Sequence, residues 1–294
     1  MKRKRRALLL AAAGLLAPAY AQRTVLLRKK IPSSGEEIPV VGLGTARRYE
    51  QREPGQRETL ARFVALGGTV IDTAAVYGDA ETVVGALLEP MEVRKQLFLA
   101  TKVSITGGEA GVRQIEGSFE RLRTDTIDLI AVHNLRDTAA HLPRLRELRK
   151  EGRIRYVGIT TSFDRQYADF EQTMRREALD FIQVDYALDN RGAGERILSL
   201  AADRGMAVMV NLPFGRGRLF EAVRGKALPP WAADFDCARW PQFFLKYIVS
   251  HPAVTCAVPG MARPGYVDDN LGAARGRLPG AELRRRMEAF IDAI

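Results

Sequence analysis

The sequence predicts an α/β protein built as a closed (β/α)8 barrel, and three observations predict it. Eight short apolar runs recur between residues 40 and 258, separated by stretches with helical spacing. Most of them end in a polar residue: Thr45, Asp72, Lys102, His133, Thr160, Gln183 and Asn211. No G-x-G-x-x-G follows a strand and opens a helix, which counts against the alternative, an open doubly wound sheet.

The elements follow in order. Residues 24–30 (TVLLRKK) and 37–41 are extended segments around Pro32-Ser33-Ser34-Gly35 and read as a β-hairpin. Residues 40–45 (VVGLGT) form the first buried strand, whose glycines admit a close backbone or ligand. Residues 47–56 are a polar loop, and 57–66 place Leu60, Phe63, Val64 and Leu66 at helical spacing. Residues 67–77 (GGTVIDTAAVY) are the centre of the pattern. A β-branched strand runs into Asp72, and a short loop then presents Tyr77. A helix over 80–88 stops at Pro90. Strands at 97–103, 127–132, 154–160, 180–184, 206–210 and 254–258 alternate with helices at 112–122, 142–148, 163–175, 195–202 and 240–249, and a last helix covers 281–294. Residues 214–236 make a longer excursion rich in Gly, Pro and Arg.

Composition narrows the class. With 294 residues, 46% hydrophobic and 27% charged, the chain is long enough for one large globular domain. The net charge of +10 is unevenly placed, because Lys2, Arg3, Lys4, Arg5 and Arg6 carry half of it. The remainder gives no case for a nucleic-acid partner. That basic run precedes an apolar stretch ending in Ala19-Tyr20-Ala21, which fits a signal peptide over residues 1–21. Arg5-Arg6-Ala7-Leu8-Leu9 also resembles a twin-arginine signal. The expectation is a mature domain over 22–294, exported to the periplasm and without stable membrane association. An attached basic helix and an uncleaved anchor are the alternatives. The sequence leaves the oligomeric state open, with a monomer expected. Cys237 and Cys256 match no zinc or redox spacing and read as buried thiols.

In a barrel the strand ends share one mouth, where active sites form. An acid, a lysine, a histidine and a nearby tyrosine at that mouth form a specific combination. A tyrosine holds its proton at neutral pH and can donate it to a developing alkoxide. Lys102 beside it stabilises the phenolate and is expected to lower the phenol pKa. Asp72 pairs with Lys102, and His133 orients a carbonyl or assists proton transfer. None donates hydride, so a cofactor must supply it. Singly, each residue has an ordinary structural role: a salt bridge, a packed turn, a satisfied histidine. The four on consecutive β-units are harder to assign to packing. No further carboxylate or histidine sits at a strand end to complete a metal site, and His141 and His251 read as packing or surface residues.

From residue 24 to 294 the chain resembles the aldo-keto reductases. The resemblance rests on GLGT at 42–45, IDTAAVYG at 71–78, LFLATKV at 97–103, IDLIAVHN at 127–134, GRIRYVGITTS at 152–162, FIQVDY at 181–186, LPFGRG at 212–217 and VPGMARPGYVDDN at 258–270. It implies a barrel whose bottom is plugged by the N-terminal hairpin, and NAD(P)H-dependent reduction of a small carbonyl substrate. It assigns Asp72, Tyr77, Lys102 and His133 as the tetrad, with Tyr77 the general acid. Gly44, Thr45, Asp72, Thr160 and Gln183 fall near the nicotinamide. Asn211 stands where the family places a stacking aromatic, and Thr161 where it places an asparagine. Phe214, Gly215, Arg216 and Gly217 line the pyrophosphate. Gly260 and Met261 replace a Lys-Ser pair, Arg263 is the candidate for a 2′-phosphate, and Asn270 lies near adenine. The resemblance favours NADPH and leaves NADH open. The substrate pocket is expected among residues 47–54, 134–142 and the excursion with Trp231, Phe235 and Trp240. The alternative from another class is a catalytically weak nucleotide-binding regulatory barrel, motivated by Thr161 and Asn211.

Overall fold

The computed structural model describes residues 25–294. The signal peptide expected over residues 1–21 lies outside the described residues. As a correction, the signal-peptide and periplasm readings find no support in the family likeness, which spans residues 40–289.

Two antiparallel strands come first, β1 (Arg28–Lys30) and β2 (Glu37–Pro39). Eight parallel strands follow: β3 (Leu43–Gly44), β4 (Val70–Asp72), β5 (Phe98–Val103), β6 (Ile127–Val132), β7 (Ile154–Thr160), β8 (Phe181–Asp185), β9 (Ala207–Asn211) and β10 (Cys256–Ala257). Each pairs with the next in chain order, and bridges Val41–Ala257 and Gly44–Gly260 close β10 onto β3. The helices are α1 (Gln56–Ala65), α2 (Ala80–Leu88), α3 (Gly108–Leu122), α4 (Thr138–Lys150), α5 (Tyr167–Arg176), α6 (Ile197–Asp203), α7 (Arg218–Ala222), α8 (Trp240–Val249), α9 (Pro264–Gly272) and α10 (Ala281–Asp292). This is the expected (β/α)8 barrel with an N-terminal hairpin.

Strand side chains alternate between two faces, and that period sorts the molecule into layers. On β5, Phe98 and Ala100 belong to a cluster inside the barrel, whereas Leu99 and Val103 pack in the shell between strands and helices. The same split separates Val70 from Ile71 on β4, Phe181 from Ile182 on β8, and Met209 from Val210 on β9. Continuing the inward parity to the carboxyl ends reaches Asp72, Lys102, His133, Thr160, Gln183 and Asn211. The barrel is thus apolar at its floor and polar at its mouth.

The hairpin closes the floor. Ile31 and Ile38 are buried with Phe98, Tyr156 and Phe181, and the Tyr156 hydroxyl donates to the Glu36 carboxylate and accepts from the Ser34 hydroxyl, each at 2.7 Å. The first strand's glycines admit close neighbours, as their spacing suggests. A Cβ on Gly44 would stand 2.6 Å from the Val258 carbonyl oxygen, so glycine lets the barrel's last seam close.

Two local expectations change. α4 begins at Thr138, earlier than residue 142, and runs through Pro143. α9 was not expected as a helix; Pro264 at its start presets φ for the first turn. The excursion aromatics pack into a cluster of their own. Trp231 packs with Phe235, Phe243 and Phe290, and Trp240 with Phe243, Phe244 and Phe290, so the excursion is anchored to α8 and α10.

Candidate active site

Lys102 is 2% exposed and Asp72 5%, so two opposite charges are buried together. The Lys102 ammonium donates to both Asp72 carboxylate oxygens at 2.8 Å and to the Thr73 carbonyl at 2.7 Å. Its three protons are therefore all placed, which offsets much of the cost of burying the charge. Burial pulls the Lys102 pKa down, but Asp72 and Tyr77 outweigh it, and the net shift is upward. The ammonium stays charged.

Tyr77 reaches this pair from the loop after β4, where its N–H donates to the Ala74 carbonyl at 3.0 Å. The Lys102 Nζ lies 5.2 Å from the centre of its ring. The His133 ring meets the Tyr77 ring edge-on, with centroids 5.7 Å apart. Lys102 lowers the phenol pKa as expected, but burial works against it and is the larger effect, so the net shift is upward. Tyr77 is held as a proton donor at rest.

His133 is pushed down to about 3, first by burial and then by the charges of Lys102 and Arg136. It is a neutral imidazole at physiological pH. Its Nδ1 is buried without a partner.

The neighbouring strand ends are tied to one another. Thr160 Oγ1 accepts from the Asn134 N–H at 3.1 Å. The Thr161 hydroxyl donates to Gln166 at 2.7 Å, so it turns away from the mouth. The Thr161 backbone ties the next two strands: its N–H donates to the Gln183 main-chain carbonyl at 2.9 Å, and its carbonyl accepts from Asn211 Nδ2 at 3.1 Å. Gln183 Nε2, Asn211 Oδ1 and Thr45 Oγ1 are buried and have no partner.

Residues 214–217 form a tight turn after β9, with Gly215, Arg216 and Gly217 all at positive φ. Phe214 packs on Phe220 at 4.9 Å. The space a Gly215 side chain would fill is taken by the Asp189 carboxylate, which pairs with Arg218 at 2.8 Å. Sequence reasoning missed this non-local contact. A cavity of about 480 Å³ opens beside the turn, lined by Phe163, Arg165, Asp185, Leu212 and Arg216 among others. Arg263 precedes α9, and Asn270 is buried within it. Sequence reasoning also missed Gln56, whose buried amide donates to the carbonyls of Arg48 at 3.0 Å and Gln51 at 2.9 Å and holds the loop after β3.

A second cavity, of about 380 Å³, lies at the floor, where Asp128 pairs with Arg94 and Arg155. Those charges satisfy one another and stand at the opposite end from Tyr77. Among the described residues, no group of three or more His, Cys, Asp or Glu is placed to hold a metal ion, and no helix is long and apolar enough to cross a membrane. Both cysteines are buried and unpaired, and His141 is buried with Nε2 2.6 Å from the Ile105 carbonyl.

A (β/α)8 barrel with a buried Asp–Lys pair beneath a protonated tyrosine defines a class of oxidoreductase. The chain belongs to the aldo/keto reductase family, which it matches over residues 40–289. It is 31% identical over 281 residues to the methylglyoxal reductase YeaE of Escherichia coli (strain K12), covering 90% of this chain and 95% of that protein. An aldo-keto reductase from Klebsiella pneumoniae solved with NADPH superposes with a TM-score of 0.78 at 27% identity, covering 91% of this chain and 95% of the other. A Klebsiella pneumoniae structure solved with NADP and acetate gives 0.76 at 28% identity, with the same coverage.

Proposed function

We propose that this enzyme reduces small aldehydes and ketones to alcohols with NADPH, and that Tyr77 is the general acid. The observation that carries the proposal is the Lys102 ammonium, fully paired with Asp72 and Thr73 and set 5.2 Å from the ring of a tyrosine that keeps its proton. Asp72, Tyr77, Lys102 and His133 act together in this reading.

The residues present fit a nicotinamide cofactor. Partnerless amide atoms on Gln183 and Asn211 stand at adjacent strand ends, and a cavity follows beside the 214–217 turn. Gly44, Thr45, Thr160, Gln183 and Asn211 would hold the nicotinamide end, Phe214, Gly215, Arg216 and Gly217 the pyrophosphate, and Arg263 and Asn270 the adenosine end. Bound there, the cofactor supplies the hydride that no side chain can.

The chain's own residues handle the proton. Neutral His133 donates a hydrogen bond to the carbonyl oxygen and fixes its direction. As negative charge develops on that oxygen, the Tyr77 hydroxyl gives up its proton. The phenolate left behind faces the Lys102 ammonium, which stabilises it at the moment of transfer. Asp72 holds Lys102 in place, and solvent reprotonates Tyr77 through the mouth.

Likeness to a methylglyoxal reductase supports 2-oxoaldehydes as a substrate class. The test follows nicotinamide absorbance with NADPH and NADH over methylglyoxal, aromatic and aliphatic aldehydes, and keto acids. Carbonyl-dependent oxidation of NADPH, with methylglyoxal among the accepted substrates, is expected. NADPH that binds but is oxidised by no carbonyl would favour the regulatory barrel instead.

A further inference from the structure

We infer that Arg48 is a specificity-determining residue for the phosphorylated cofactor: together with Arg263 it recognises the 2′-phosphate that separates NADPH from NADH. The inference rests on the cofactor reading above and assigns to the cofactor a residue of the loop expected to border the substrate pocket.

The chain is arginine-rich, and most of its helical arginines are spent on ion pairs. Arg62 pairs with Asp268 at 2.6 Å and Arg239 with Asp269 at 3.1 Å, so both acids of α9 are occupied. Among the described residues, the Arg48 and Arg263 side chains have no acidic partner. Arg48 lies against Gly260 at the seam between β3 and β10, and Arg263 follows three residues later, just before α9.

The backbone is shaped to put Arg48 there. Arg47 at φ 60° turns the chain after β3. The Arg48 N–H donates to the Thr45 carbonyl at 2.9 Å, and its own carbonyl accepts from the buried Gln56 amide at 3.0 Å. Tyr49, the next residue, is fully buried. A rigid loop therefore presents an otherwise mobile side chain. That side chain lies across Gly260: a Cβ built there would stand 3.2 Å from Arg48 Cγ and 3.5 Å from Nε. Gly260 does not adopt a positive φ, so its lack of a side chain serves the passage of Arg48 rather than a turn.

Two guanidinium groups without acidic partners, carried by residues at this seam, suit a dianion, because each offers planar paired donors matched to phosphate oxygens. The cofactor carries such a group at two places. The pyrophosphate is common to NADPH and NADH, and the 2′-phosphate belongs to NADPH alone.

The experiment is equilibrium binding by fluorescence titration of the full chain with NADPH, NADH, 2′,5′-ADP and 5′-AMP. It compares wild type, Arg48→Gln, Arg48→Lys and Gly260→Val, with thermal melts to verify folding. Arg48→Gln is expected to weaken NADPH and 2′,5′-ADP about tenfold. NADH and 5′-AMP should stay within about twofold, and Arg48→Lys should restore part of the loss. Gly260→Val should reproduce the Arg48→Gln pattern with Arg48 intact, because its side chain displaces the arginine. Equal weakening of NADPH and NADH would assign Arg48 to the pyrophosphate or to general attraction and overturn the inference. Unchanged binding in folded Arg48→Gln would overturn it as well. Wild-type protein that binds neither nucleotide would remove the cofactor reading and this inference together.

Discussion

At the scale of single residues, the site is governed by which charges are buried. Lys102 and Asp72 stabilise each other inside the barrel, and losing one strands the other. Lys102→Met is expected to lower the unfolding free energy by about 3–5 kcal/mol. The double variant Lys102→Met/Asp72→Asn should recover much of that, and denaturant unfolding of both measures the difference. His133 gives a pH signature. Its pKa falls from 6.5 in the unfolded chain to about 3 in the fold, so the unfolded state takes up the proton first as pH drops. The stability of neutral His133 is complete above pH 6.5 and is lost progressively as pH falls toward 3. Melts across that window should show a shallower decline for His133→Asn than for wild type.

The placing of the candidate residues at the barrel mouth was largely legible in the sequence. Alternation puts Phe98, Ala100 and Lys102 on one face of one strand, so a polar residue at the inward end of an apolar run marks the mouth. The direction of the Tyr77 shift was not legible, because it depends on how much water the fold excludes. Nor were the Asp189–Gly215 and Arg48–Gly260 contacts, which join residues distant in sequence through packing alone.

Among the elements, the seam between β3 and β10 carries the most consequence. It is short, and both residues of its Gly44–Gly260 bridge lack side chains. Gly44→Ala forces a methyl to within 2.6 Å of the Val258 carbonyl oxygen and must open the seam. A loss of about 1–3 kcal/mol is expected, the range of an overpacked core, and a lowered melting temperature measures it. The strands and most helices followed from apolar spacing. α9 escaped notice because it buries little beyond Val267, Asn270 and Leu271, too few for a clear stripe. The aromatic excursion was legible in part. Its rings marked burial correctly, but composition does not say against which surface, and they lie on α8 and α10.

For the whole molecule, the barrel separates stability from chemistry. The floor is plugged by the hairpin and by paired charges, while the mouth keeps partnerless amides and unpaired arginines for a ligand. Family membership and the protonated tyrosine together support a reductase. The most direct measurement is a single turnover: NADPH-loaded protein mixed rapidly with methylglyoxal, followed by nicotinamide absorbance, for wild type and Tyr77→Phe. The proposal expects oxidation in the wild type and a rate about 10²- to 10⁴-fold lower in Tyr77→Phe, with NADPH still bound. A Tyr77→Phe variant that oxidises its bound NADPH at the wild-type rate would contradict it.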